Sequence, residues 1–176
     1  STVSKVREGD KSKKKELPIA LFSGVFDGRK DQDLKSHSGL VVLDFDHIDV
    51  QESKGLLGTD DYVLACWASP SGDGLKALVK VSNPDKHRDH FRSLQSYFES
   101  QYGLEVDPSG VNEARACYES HDPDLVINTT AQPFGMMLSE KALDQSAELK
   151  VGNTYTDYGK LNIVCAMIRG ASDGEK

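Results

Sequence analysis

The segment Gly39-Leu40-Val41-Val42-Leu43-Asp44-Phe45-Asp46-His47-Ile48 constrains this chain more than any other. Four consecutive apolar residues run into two carboxylates separated by one residue. An apolar run of that length reads as a buried strand, so the chain must build a sheet around it. Side chains at i and i+2 of a strand share a face, which puts Asp44 and Asp46 on one side, roughly 7 Å apart at Cα. Paired carboxylates at the end of a buried strand repel each other and are costly to desolvate. A divalent cation removes that cost, and two cations about 3.5–4 Å apart form the clamp used for nucleotidyl transfer. The same pair also reads as an Asx turn closing the strand, because Asp49 and Glu52 continue an acidic loop beyond it.

The remaining pattern supplies the sheet. Leu17 to Phe22 reads as a short strand with Pro18 near its start, followed by a loop over Gly24–Asp33. Asp61–Ala68 and Leu75–Val81 read as two strands joined through Ser69-Pro70-Ser71-Gly72-Asp73-Gly74, a β-hairpin. Asp85–Tyr102 is the clearest helix, with Phe91, Leu94, Phe98 and Tyr102 on one stripe and Gly103 where a C-terminal cap belongs. Leu104–Asp107 and Ala114–Tyr118 read as further strands, and Lys141–Leu149 and Asp157–Arg169 as helices. Three regions result: residues 1–16, a polar basic arm expected to be solvated; residues 17–150, the main domain; and residues 151–176, a C-terminal helix that could open a further domain.

Composition narrows the chemistry. Cys66, Cys117 and Cys165 are scattered and odd in number, which fits neither a disulfide framework nor a zinc ribbon. No apolar stretch approaches the ~20 residues of a membrane span. We therefore expect a cytoplasmic protein that engages no membrane. The net charge of −7 argues against strong binding to phosphate backbones, so any DNA contact is expected to be weak and to run through a local basic channel.

Two further groups of residues bear on the aspartate pair. Ser71-Gly72-Asp73-Gly74-Leu75-Lys76 opens a strand. Gly72 and Gly74 let backbone N–H groups converge on an anion, Ser71 offers a hydroxyl, and Lys76 offers a point charge suited to phosphate. The spacing is not that of a Walker A loop, and an ordinary hairpin turn accounts for the same residues. Asp107 ends the Leu104-Glu105-Val106 run just before Pro108-Ser109-Gly110, where it can join Asp44 and Asp46 or simply begin a turn. Arg115 stands eight residues further on, placed either to neutralise leaving-group charge or to form a surface salt bridge. His121, Asp122 and Asp124 follow as a polar turn or as outer support for the site.

In this order, apolar-Asp44-x-Asp46, Ser71-Gly-x-Gly-x-Lys76, apolar-Asp107, and Arg115 with Asp-Pro-Asp-Leu resemble the primase–polymerase (Prim-Pol) domain of the archaeo-eukaryotic primase superfamily. The nearest branch is the VirE-N-terminal-like one of mobile-element and phage replication proteins. The similarity runs from about Leu17 to Phe134. It implies an α+β fold, an RRM-like palm with a mixed or antiparallel sheet flanked by helices. It also implies that Asp44, Asp46 and Asp107 bind two catalytic ions, Mg²⁺ or Mn²⁺, and that Ser71, Gly72, Gly74, Lys76 and Arg115 bind the nucleotide triphosphate. Many members carry histidine where this chain has Lys76, which keeps a cation but loses a planar donor and acceptor. The implied partners are single-stranded DNA template and primer, dNTP or NTP, and a helicase domain or subunit, with the domain acting as a monomer. Two rivals are a non-catalytic replication module of the same fold and a rolling-circle or relaxase-type nuclease. The second needs a His-x-His pair and a nucleophilic tyrosine, which His87 and His90 within the helix do not match.

Overall fold

The computed structural model describes residues 1–138; the helices expected over 141–149 and 157–169, and the segment 151–176, lie outside them. In chain order the elements are α1 (Thr2–Arg7), β1 (Ile19–Ala20), β2 (Gly24–Phe26), β3 (Leu34–His37), β4 (Leu40–Asp46), α2 (Val50–Leu57), β5 (Val63–Ala68), β6 (Gly74–Lys80), α3 (His87–Tyr102), β7 (Cys117–Tyr118) and β8 (Val126–Ile127). Four strands form the main sheet in the order β4-β6-β5-β8, every pairing antiparallel. The pairs β1–β7 and β2–β3 form two small antiparallel sheets beside it. The fold is thus mixed α/β, with antiparallel sheets flanked by helices. Among the described residues, no helix is long and apolar enough to cross a membrane.

Strand alternation divides the main sheet. Val41, Leu43 and Phe45 of β4, Leu75, Ala77 and Val79 of β6, and Val63 and Cys66 of β5 face one way. They pack with Phe91, Leu94 and Phe98 of α3 and with Leu57 of α2 to make the core. The α3 stripe is the expected one, and Gly103 caps it in the left-handed region at φ 66°, where glycine escapes the Cβ penalty. The opposite face carries Val42 and Leu78, covered by Cys117 and flanked by Phe22 and Trp67. The β1–β7 ribbon therefore lies over part of this second face.

Several sequence expectations change. Residues 1–16 are not simply a solvated arm: Ser1 caps α1, and Val3 and Val6 are buried with Leu17 against Tyr118. Polar composition concealed this because only two apolar residues, one turn apart, fix the helix to the body. Within the loop expected over 24–33, residues 24–26 form β2 and pair with β3. Residues 50–57 form α2 where an acidic loop was expected. The side chain of Asp49 accepts from the Gln51 and Glu52 N–H groups and starts it, as an N-cap should. Leu104–Asp107 forms no strand and joins no ladder. Leu104 and Val106 point into the core, and Asp107 N–H donates to the Asp44 carbonyl at 2.8 Å. Ala114–Tyr118 shortens to the two residues of β7.

Candidate active site

The face of the main sheet opposite the core gathers the charged residues. Register places Asp44 opposite Lys76, and Lys76 opposite Trp67, in one row across three strands. Lys76 Nζ donates to Asp44 Oδ1, and the two side chains are only 8% and 11% exposed. Arg115 Nη2 donates to Asp44 Oδ2 and to Asp107 Oδ2, each at 3.1 Å. The main-chain bond from Asp107 to Asp44 holds the two acids side by side. Four residues from four separate segments thus share one bonded network.

Asp107 is also the start of a turn, so its two sequence readings hold together. Its Oδ1 accepts the Ser109 N–H at 2.9 Å and its Oδ2 accepts the Ser109 hydroxyl at 2.6 Å. Burial would raise its carboxyl, but the Ser109 bonds and the charges of Arg115 and Lys76 outweigh that and hold it below the ordinary 3.8. Asp46 lies one strand step beyond Asp44, opposite Gly74, and is exposed. With Glu105, Asp107 and Pro108 it lines a shallow cavity of about 240 Å³ at the open end of the network. The network is therefore closed at Asp44 and open at Asp46.

The glycine loop behaves first as a hairpin. Gly72 has φ 83°, and its N–H donates to the Ser69 carbonyl at 3.0 Å. A Cβ on Gly74 would collide with the Phe45 carbonyl oxygen, so only glycine lets β6 begin this close to β4. Ser71 Oγ bonds Ser69 Oγ at 3.4 Å and does not reach the carboxylates. Lys76 is drawn into the network, while Ser71 and Gly72 remain at the turn. Sequence reasoning missed Arg7, whose Nη2 donates to the carbonyls of Ser69 and His121 at 3.3 and 2.8 Å. Its guanidinium lies against Gly72, and nothing in an arm of polar residues signals that placement. Asp122 does not support the carboxylates: it is buried in an ion pair with Lys54 at 2.6 Å and accepts the Ala68 N–H at 2.7 Å. That pair ties the 119–125 segment to α2 and β5.

Asp44, Asp46 and Asp107 offer oxygen donors alone, the chemistry that suits a hard divalent ion. The donor set fits; its present arrangement is closed. Both Asp44 oxygens are bonded to Lys76 and Arg115, and among the described residues no three acidic, histidine or cysteine side chains gather around one point. Each Asp44 oxygen keeps a lone pair for an ion, and withdrawal of the Lys76 ammonium, which its flexible four-carbon stem permits, would free Oδ1 fully.

A family model described as BT4734-like, N-terminal domain matches residues 12–126, about two thirds of the chain. The match spans Asp44, Asp46, Ser71, Gly72, Gly74, Lys76, Asp107 and Arg115. No curated protein and no solved structure matches the chain.

Proposed function

We propose, for a chain that belongs to the BT4734-like, N-terminal domain family, that the Asp44–Lys76–Arg115–Asp107 network is the nucleotidyl-transfer site of a DNA primase–polymerase domain. Convergence carries the reading. Four residues spread over 72 positions of sequence meet in one hydrogen-bonded network, with Asp46 at its open end. A purely structural salt bridge needs one partner of each sign, whereas this network joins two carboxylates and two cations and has a third carboxylate, Asp46, beside it. The antiparallel β4-β6-β5-β8 sheet, with helices on one face and these charges on the other, supports an RRM-like palm.

In this reading Asp44, Asp46 and Asp107 would hold Mg²⁺ or Mn²⁺, which when bound activates a 3′-hydroxyl and stabilises departing pyrophosphate. Lys76, released from Asp44, turns its ammonium to the triphosphate oxygens. Arg115 keeps Asp107 oriented and presents its remaining guanidinium N–H groups to the same phosphates. The product strand grows on a single-stranded DNA template from dNTP or NTP. The domain works in the cytoplasm as a monomer, in series with a helicase domain or subunit.

One observation favours a second reading, a non-catalytic replication module. Lys76 and Arg115 already satisfy both Asp44 oxygens, as a structural ion pair would. Primer extension separates the two. The chain is incubated with primed template, Mn²⁺ and labelled dNTP beside Asp44→Ala/Asp46→Ala. Extension by the parent alone is expected; extension by both proteins, or by neither, rejects the polymerase.

A further inference from the structure

We propose that the cavity walled by Trp67 is a nucleobase subsite, holding the base of the nucleotide whose phosphates face Lys76. The proposal rests on the nucleotidyl-transfer reading and names where the rest of the substrate lies. The cavity measures about 340 Å³, with Phe22, Trp67, Cys117 and Tyr118 among its walls and Glu119 and Ser120 supplying polar groups. That size and largely apolar lining match small-molecule sites of roughly 300–1,000 Å³.

Its position selects the occupant. Trp67 is the next residue after Lys76 in the row Asp44–Lys76–Trp67. Strands lie about 4.8 Å apart, so the cavity begins one strand beyond the lysine on the side away from Asp44. Cys117 joins the two regions: it packs on Val42 and Leu78 beneath the network and lines the cavity as well. A largely apolar cavity with aromatic walls on one side of a buried cation, with carboxylates on the other side, is complementary to a base joined to a phosphate chain. An aliphatic ligand would offer nothing to the lysine released from Asp44, and inorganic phosphate would leave the cavity empty. Phe22 and Trp67 meet at a tilt of 54°, with centroids 5.7 Å apart, rather than face to face, and both rings are only half-buried. Stacking of bases on such rings tolerates any base, as a templated site requires.

Trp67 is the only tryptophan of the chain, so its fluorescence reports on this cavity directly. Titration of the 176-residue chain with dATP, with inorganic tripolyphosphate as the comparison, is expected to quench emission with dATP alone. Trp67→Leu should raise the nucleotide KM in primer extension about tenfold, and Trp67→Phe should restore most of it. If calorimetry shows dATP binding while emission stays constant and Trp67→Leu keeps its KM, the base subsite is overturned and the polymerase reading stands. If dATP quenches Trp67 but no condition supports extension, the subsite stands and the polymerase reading falls. If dATP does not bind at all, both fall.

Discussion

Lys76 and Asp44 face each other with side chains 8% and 11% exposed, so each is the other's main compensation for lost hydration. Removing one partner of such a pair typically costs about 3–5 kcal/mol, because the remaining charge stays buried. Arg115 continues to hold Asp44, so Lys76→Met should lie at the low end, about 3 kcal/mol in urea unfolding. Asp44→Asn combined with Lys76→Met should cost less than the two single changes added together, as expected for groups in contact. Strict additivity would mean that the pair contributes nothing as a pair. A second residue-scale expectation concerns pH. The Gly39 N–H donates to His37 Nδ1, so neutral His37 carries its proton on Nε2 and donates it to His87 Nδ1 at 2.9 Å. A proton added to His87 Nδ1 would set donor against donor, and His87 Nε2 is buried without a partner. Burial accordingly pushes the His87 imidazole down to about 4, assisted by His37 and opposed by Glu113. A folded value below the unfolded 6.5 means that the unfolded chain binds the extra proton first. Stability is then full above pH 6.5, falls as pH drops toward 4, and levels off below that, a loss of about 3 kcal/mol at most. The Asp107 carboxyl, held below 3.8, loses its contribution only under more acidic conditions. The two effects occupy separate windows. Melting curves for His87→Gln should slope less steeply between pH 6.5 and 4, the remaining slope coming from His37 and His90, which burial also lowers; an unchanged slope there would remove His87 as a cause.

The secondary-structure elements differ in how they are specified. Helix α2 depends on Asp49, whose carboxylate takes two N–H groups of the first turn at 2.9–3.0 Å. Asp49→Ala should cost about 1 kcal/mol by urea unfolding, while a change near zero would mean that Leu57, Val50 and the Lys54–Asp122 pair hold the helix without the cap. That dependence also explains why α2 was illegible in sequence. Val50-Gln-Glu-Ser-Lys-Gly-Leu-Leu has no continuous apolar stripe, contains Gly55, and is held by one cap, by Leu57 and Val50 against the core, and by the buried Lys54–Asp122 pair. By contrast, β4 and β6 were legible because they are buried on both faces along nearly their whole length and read as mostly apolar runs, and α3 because its buried stripe recurs at helical spacing. Asp107 marks a middle case. Its place beside Asp44 follows the expected grouping, yet the preceding residues form no strand, because the core takes Leu104 and Val106 while β4 supplies a single main-chain bond. Arg7 and the Trp67 cavity were out of reach of any local pattern: both depend on chain segments more than 40 residues apart meeting across the sheet.

For the whole molecule, the net charge of −7 and the network pull in one direction. Asp44, Asp46 and Asp107 outnumber Lys76 and Arg115, leaving a local surplus of negative charge at the open end, where Asp46 is exposed. Such a surplus favours a divalent cation, and a cation bound only by the folded chain stabilises it by about 2.7 kcal/mol at 100 times its Kd. For a domain of this size that corresponds to roughly 5–10 °C in Tm. Asp46→Asn is the informative variant, because a change at an exposed position usually alters stability by less than about 0.5 kcal/mol. It should melt like the parent without metal and lose most of the Mn²⁺-dependent rise. Lys76→Met should do the opposite. It starts less stable, but with no ammonium competing for Asp44 it should gain more from Mn²⁺ than the parent does. A rise that survives in Asp46→Asn would locate the ion elsewhere. If neither the parent nor Lys76→Met responds to Mn²⁺, Lys76 and Arg115 are the permanent counter-ions of Asp44 and Asp107, and the network serves the fold alone.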